Sequence, residues 1–378
     1  MSKEVFDTAI IGGGLAGLTL AIQLADAGKR VILFEKGKYP FHKVCGEYIS
    51  MESHAFLERL GIPLSTMDLP LINELKVSAP NGNALIRKLG QGGFGISRYT
   101  LDSSLATLAK SKGVLLLEET KVTQVTFENN LFTITANGIT CNALVACGTY
   151  GKRSALDTKL QRKFRNGNQG KRKNYVGVKY HVQLELPANR IELHNFRDGY
   201  CGISKVEGNK YCLCYLTDAK NLNQNNNDIR RMEQEVLMQN PYLKKYLSEA
   251  VYLYNEPLTI SQITFDKKTA VEQHLLMLGD SAGTISPLCG NGMSMAMHAS
   301  YLASSLICDF LNGNSSRTEL ENRYENQWMQ LFDKRIKIGK GIQYLFGKER
   351  LSNLSIGILK QVPVLCDKLI GMTHGRPF

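Results

Sequence analysis

The sequence predicts a mixed α/β fold, α+β overall, in which a Rossmann-like nucleotide-binding domain is joined to a separate antiparallel β-sheet and a helical C-terminal end. Three observations lead there. A glycine-rich turn lies between a short apolar run and a helix at the start of the chain, a second glycine-rich constellation follows the apolar run 275–278, and four β-rich runs cluster between 175 and 216. The length of 378 residues fits about two domains. With 43% apolar and 21% charged residues, disordered and fibrous classes are excluded.

Asp7 to Ile11 is the first apolar run, and Gly12-Gly13-Gly14-Leu15-Ala16-Gly17 follows it. Leu15, Leu18, Ala21, Ile22 and Ala25 then recur at helical spacing as far as Gly28. Arg30 to Glu35 is a second β-rich run that ends in an acid, which completes the βαβ context of the fingerprint. Gly12 permits the tight turn, Gly14 lets the backbone approach a pyrophosphate on the helix N-terminus, and Gly17 lets helix and strand pack closely. Glu35 is placed to accept hydrogen bonds from ribose hydroxyls. The fingerprint itself leaves NAD and FAD open.

Leu75 to Leu89 predicts a hairpin around Pro80-Asn81-Gly82. Strand-like runs at 175–186, 190–196, 200–206 and 211–216, with a turn at Glu207-Gly208-Asn209, predict an antiparallel sheet laid over the cofactor as floor or lid of a substrate pocket. Between Lys152 and Lys173 nine Lys or Arg stand against the single Asp157, within a chain of net charge +12. Such a run is a solvated loop, or it meets a pyridine nucleotide, an acidic carrier protein or a membrane surface. No nucleic-acid partner is expected, because aromatics are not interleaved with the charges.

Leu275 to Leu278 predicts a strand that opens onto Gly279-Asp280-Ser281-Ala282-Gly283, Pro287 and Gly290-Asn291-Gly292-Met293. A helix then runs through Met295, Ala299, Leu302, Leu306 and Phe310 to Asn312-Gly313. Asp280 at a strand end suits a ribityl hydroxyl. The unpaired N–H groups of Gly290 to Met293 turn a positive dipole toward one ligand edge, as the N1/O2 side of a reduced, anionic flavin requires. Ser316-Arg317-Thr318-Glu319 is a capping box for a helix carrying Trp328, Leu331, Phe332 and Ile336. The chain from Lys334 onward is basic and amphipathic, which suits packing on the cofactor domain, covering a greasy pocket, or touching a membrane.

The nine cysteines are an odd set on a chain whose Ala9–Ala25 stretch is too rich in glycine for a signal peptide, so reduced thiols and a cytoplasmic location are expected, with a membrane-peripheral one as the alternative that the basic segments leave open. Cys212 and Cys214 fall on one strand face, and no metal site is predicted.

Three motifs in order resemble the FAD-dependent oxidoreductases that include p-hydroxybenzoate hydroxylase, geranylgeranyl reductases and flavin halogenases. They are the fingerprint with Glu35, Arg98-Tyr99-Thr100-Leu101-Asp102 as the R-x-x-L-D helix start, and the Gly279-Asp280 segment. The last continues as in the geranylgeranyl reductase branch, and Pro40-Phe41-His42-Lys43-Val44-Cys45-Gly46-Glu47 is similar to that branch's C-G-E segment. Gly199-Tyr200-Cys201-Gly202-Ile203 is a degenerate echo of its G-Y-x-W stretch, and a lone Trp328 excludes the halogenase signature.

The resemblance implies FAD held by Gly12, Gly14, Leu15, Ala16, Gly17, Glu35, Lys36, Lys43, Cys45, Arg98, the backbone of Val122, Asp280, Gly290, Asn291, Gly292 and Met293. It places Cys45 near the isoalloxazine, as a proton donor or as part of the substrate pocket's lining, with His42 and Glu47 either assisting proton transfer and orienting Cys45 or standing in solvent. It implies an FAD-binding domain from 1–72, 95–170 and 258–315, a substrate sheet from 73–94 and 171–257, and a helical segment 316–378. The family's D-G motif carries Tyr150 in place of aspartate, which leaves NADH or NADPH open as reductant. Expected is saturation of a C=C bond in an apolar or amphipathic small molecule. Hydroxylation of an aromatic or polyketide ring and electron relay to a protein partner are the alternatives.

Overall fold

The computed structural model describes residues 5–165, 174–346 and 348–378. β1 (Val5–Ile11) runs through the glycine turn into α1 (Leu15–Asp26) and returns as β2 (Val31–Phe34). After β3 (Tyr48–Ser50) and α2 (His54–Leu60) come β4 (Leu71–Ser78), β5 (Ala84–Gly95), α3 (Arg98–Ser111) and β6 (Leu115–Leu117). Next are β7 (Val122–Glu128), β8 (Leu131–Ala136), β9 (Ile139–Gly148) and the short α4 (Leu156–Lys159). β10 (Tyr175–Gln183), β11 (Arg190–Phe196), β12 (Gly199–Val206) and β13 (Lys210–Asp218) precede α5 (Ala219–Gln224), α6 (Ile229–Glu235) and α7 (Pro241–Glu249). β14 (Val251–Tyr252), β15 (Leu258–Ile263), β16 (Val271–Glu272) and β17 (Leu275–Met277) lead to α8 (Gly292–Leu311), α9 (Arg317–Phe346), α10 (Glu349–Gln361) and α11 (Pro363–Thr373).

One sheet has the order β16-β17-β9-β1-β2-β6, parallel from β17 to β6, with the β7-β8 ribbon attached to β9. β2 is apolar and buried throughout, and β1 is buried from Thr8 to Ile11, as strands inside a parallel sheet are. α1 and α8 lie side by side, close enough for Thr19 Oγ1 and Ser300 Oγ to hydrogen-bond at 2.7 Å. Small residues on both helices permit that approach.

The second sheet has the order β14-β10-β13-β12-β11-β4-β5-β3, with β15 also on β10. The 80–82 turn joins β4 to β5 as the sequence predicts, with Gly82 at φ +85°. Alternation divides the faces. Val176, Val178, Tyr180 and Val182 of β10 join Met232, Leu237, Leu243 and Leu247 in a core with the α5–α7 region. Gly177, Lys179 and His181 face the other way, in register with Leu216, Cys214 and Cys212 of β13, toward the 43–47 loop.

Two expectations change. The sheet is not wholly antiparallel, since β4 and β11 pair in parallel. The chain leaves after β5, crosses the first sheet and re-enters at β10, so β11 reaches the exposed edge of β4 without a hairpin to reverse it. In addition β3 and β15, which fall within the segments 1–72 and 258–315 expected to build the FAD-binding domain, pair into the second sheet.

Candidate active site

The glycine turn shows why each glycine is there. A Cβ on Gly12, whose φ is +113°, would sit 2.6 Å from the Thr149 carbonyl oxygen, and one on Gly17 would sit 2.1 Å from that of Gly12. At Gly14 the nearest atom would be Arg98 Nη2 at 3.9 Å, so this position alone of the three opens outward. Gly14 is also the N-cap of α1 and offers no side chain, which leaves the first-turn N–H groups, including those of Leu15 and Ala16, without a side-chain acceptor. A diphosphate fits this donor set and this opening.

Glu35 is buried at the end of β2. Its Oε2 accepts the Gly13 N–H at 2.8 Å and its Oε1 the Gly37 N–H at 2.9 Å, which fixes the carboxylate and leaves a lone pair on each oxygen for ribose hydroxyls. The Tyr39 hydroxyl, which no motif announced, donates to the Gly13 carbonyl. Lys36 is exposed beside the turn. Val122 is buried at the start of β7, just beyond the stretch whose Leu117 carbonyl and Thr120 N–H bond the Glu35 backbone at 2.9 and 2.8 Å.

Arg98 clamps Asp102 through Nε and Nη2, both at 2.7 Å, and Lys43 reaches the same carboxylate at 2.9 Å. Burial alone would push the Asp102 carboxyl up, but the two cations hold it below the usual carboxylate range. Two cations on one anion leave a positive balance next to the open side of Gly14, as a diphosphate requires.

The loop 43–47 meets the N-terminus of α8. Cys45 Sγ lies 3.6 Å from Met293 Sδ, and the Cys45 carbonyl accepts from the Cys212 thiol at 3.1 Å. Gly290 takes φ +67°, and Asn291 caps α8 without a side-chain bond to it, its amide donating instead to the Thr373 carbonyl. Gly292 and Met293 therefore begin a helix whose N-terminal dipole faces the loop. Asp280 is half-buried after β17, its carbonyl held by Lys268 Nζ at 2.7 Å. Burial lowers the Lys268 ammonium to about 8.

Glu47 and His42 do not serve Cys45 as the sequence suggested. Glu47 is fully buried and bonds the Lys179 ammonium, His181 Nε2 at 2.6 Å and the Arg98 N–H at 2.8 Å. Burial would raise its carboxyl, but the His181 hydrogen bond and the Lys179 charge hold it below its ordinary range. His42 stacks on Tyr99 at 4.6 Å, and its Nε2 pairs with the Tyr254 hydroxyl at 3.1 Å. Ligand atoms of Glu47, His181 and Cys212 lie within 4.8 Å of one another, yet the Lys179 ammonium already neutralises the carboxylate. Lys179 and His181 were legible only as an unexpected polar face on a β-rich run.

On the same face of the second sheet lies a cavity of about 340 Å³. Tyr175, Tyr200, Leu216, Phe265, Leu288 and Phe346 give it apolar walls, while Asp198, Asp266, Lys340 and Gln343 supply polar groups. Leu288 stands two residues before Gly290, so the cavity adjoins the α8 constellation. The C-terminal half of α9 forms one of its walls through Lys340, Gln343, Tyr344 and Phe346.

The basic run is partly internal. Arg162 is fully buried, bonded to Asp157, the Ser281 carbonyl and the Thr269 carbonyl at 3.1, 2.9 and 3.0 Å, and Tyr150 donates to Asp157 at 3.0 Å. Lys159 donates to the Thr123 carbonyl. Residues 166–173 lie outside the described residues, and no helix among the described residues is long and apolar enough to cross a membrane.

A family model described as FAD binding domain matches residues 5–331. The chain is 25% identical to conditioned medium factor receptor 1 of Dictyostelium discoideum, over 87% of this chain and 68% of that protein. It is 24% identical to digeranylgeranylglycerophospholipid reductase of Methanococcus vannielii, over 87% of this chain and 83% of that one. Among solved structures, the flavin-dependent brominase Bmp2 superposes with a TM-score of 0.78 at 18% identity, covering 98% of this chain and 93% of the other.

Proposed function

The chain belongs to the family of FAD binding domains and is a flavin-dependent oxidoreductase, and from that premise we propose that it saturates a carbon–carbon double bond in an apolar or amphipathic isoprenoid or lipid. The observation that carries this is the cavity of about 340 Å³, aromatic and aliphatic along its walls and polar at Asp198, Asp266 and Lys340, adjoining the α8 N-terminus. It suits a hydrocarbon body with a polar end. The likeness to a protein named as a digeranylgeranylglycerophospholipid reductase supports the same substrate class.

FAD, when bound, supplies hydride chemistry. The chain does the rest. The N–H groups of Gly14, Leu15 and Ala16 with Arg98 and Lys43 would bind the diphosphate, Glu35 and the neighbouring Lys36 would hold the ribose end with the backbone near Val122, and Asp280 would take the ribityl chain. The Gly290 N–H is taken by the Pro287 carbonyl at 3.0 Å, so the N–H groups of Asn291, Gly292 and Met293 are the ones that would stabilise negative charge at the ring edge. Cys45 would give its thiol proton to one carbon of the double bond and recover a proton from solvent, the bound FAD being the source of the hydride for the other carbon. NADH, NADPH or a reduced protein supplies the two electrons.

Anaerobic mixing of dithionite-reduced protein with an allylic isoprenoid lipid tests this. The flavin absorbance should return without oxygen and the product should gain two hydrogen atoms. A product bearing one new oxygen atom, formed only in air, would assign hydroxylation instead.

A further inference from the structure

The end of the chain carries a feature that the cofactor site does not use. α10 and α11 pack on β4, β5 and β11 through Ile356, Leu359 and Cys366, which join Val77 and Leu85 in a small core. Their opposite side is apolar as well. Leu354 is 61% exposed, Val364 77%, and Ile358, Val362 and Leu365 between 41% and 46%. Leu354 and Ile358 share one face of α10 at a spacing of four, Val362 stands at the junction, and Val364 and Leu365 are exposed in the first turn of α11, so each helix presents apolar side chains to solvent.

Exposed apolar side chains gathered on one segment in this way mark an interaction surface. Cations frame it. Arg350 precedes Leu354 and Lys368 follows Leu365 at helical spacing, and Lys348 and Lys360 are exposed nearby on the same segment. Between 340 and 376 six Lys or Arg stand against Glu349 and Asp367, and Asp367 is already paired with Arg87 at 2.6 Å. An apolar face rimmed by cations complements an anionic lipid surface, with side chains among the acyl chains and ammonium groups among the phosphates. Helices of 13 and 11 residues are too short to span a bilayer and suit lying along it.

The segment that carries these side chains leads directly out of the cavity wall, since α10 follows the end of α9 that lines it. Phe346 packs both in the cavity wall and in the α10–α11 core, and Tyr344, 58% exposed, stands at the cavity's rim beside the exposed Leu345. We infer that α10 and α11 form an interfacial docking face that seats the cavity mouth on an anionic membrane, so that the substrate is a membrane-resident amphiphile taken directly from the leaflet. This rests on the reductase proposal only for the substrate; the docking itself is read without turnover.

The purified flavoprotein is sedimented with vesicles of phosphatidylcholine alone and of phosphatidylcholine with phosphatidylglycerol. Expected is binding to the anionic vesicles that weakens in high salt. It should fall about tenfold or more in a Leu354→Asp/Ile358→Asp variant and in a Val364→Asp/Leu365→Asp variant. These positions are exposed, so flavin content and melting temperature should stay as in the parent. Absence of vesicle binding, or equal binding by both variants, overturns the proposal. So does a variant that turns an oligomer into a monomer in light scattering, which would make the face a contact between protein chains. Vesicle binding without C=C reduction would leave docking in place and remove only the substrate assignment.

Discussion

The thiol of Cys45 lies 3.6 Å from the thioether of Met293, although 248 residues separate them. Two motifs that FAD chemistry needs together, the loop after β2 and the N-terminus of α8, thus meet through two polarizable sulfurs. If the thiol donates a proton to substrate, Cys45→Ala should keep FAD bound and slow single-turnover reoxidation by substrate about a hundredfold. An unchanged rate would remove Cys45 from the mechanism and leave it a packing residue.

The three fingerprint glycines should fail differently. Gly17→Ala forces a contact at 2.1 Å with backbone, so folding itself should suffer. Gly14→Ala meets only Arg98 Nη2 at 3.9 Å. That variant should melt like the parent apoprotein yet retain FAD at least about tenfold more weakly, because its methyl stands where a diphosphate must approach. Absorbance of bound flavin against protein concentration decides it.

Glu47→Gln should be costly for stability. The Lys179 ammonium would remain buried with a neutral partner, at about 3–5 kcal/mol. Adding Lys179→Met should recover much of the loss. Urea midpoints of the single and double variants measure the coupling, and simple additivity would show that the pair carries no special weight.

His298 gives stability a pH dependence. It stacks on Phe378 at 4.1 Å, and burial followed by the Arg335 charge lowers it from 6.5 to about 4. Between those values the unfolded chain holds a proton that the folded chain does not, so stability falls as pH drops from 6.5 toward 4. Unfolding in that window should take up about one proton less in His298→Asn than in the parent. Urea titrations at a series of pH values would show it, and equal slopes would refute it.

Local signals explain what was legible. The glycine fingerprint, the Gly279–Met293 segment and the Ser316 capping box are short-range motifs, and the structure shows each as written, the last with Ser316 N–H donating to Glu319 at 2.7 Å. The four runs from 175 to 216 announce their strands by β propensity. Pairing is not local, so the parallel β4–β11 contact and the recruitment of β3 and β15 carried no sequence signal. Nor did the partnership of Glu47 with Lys179 and His181, which joins a loop to a strand 132 and 134 residues away. Composition counts charges without showing where they point, and within the basic run Arg162 points inward.

Thr19 and Ser300 share a hydrogen bond across 281 residues. During synthesis α1 emerges well before the helix it leans on, which leaves the ribosome only after every strand of the second sheet. The nascent N-terminal βαβ unit must therefore wait with one flank uncovered, a target for chaperones, while the second sheet is still being translated. Truncation before α8 should leave an aggregating product, and slowing translation just upstream of residue 292 should lower the soluble yield more than slowing it downstream of residue 311.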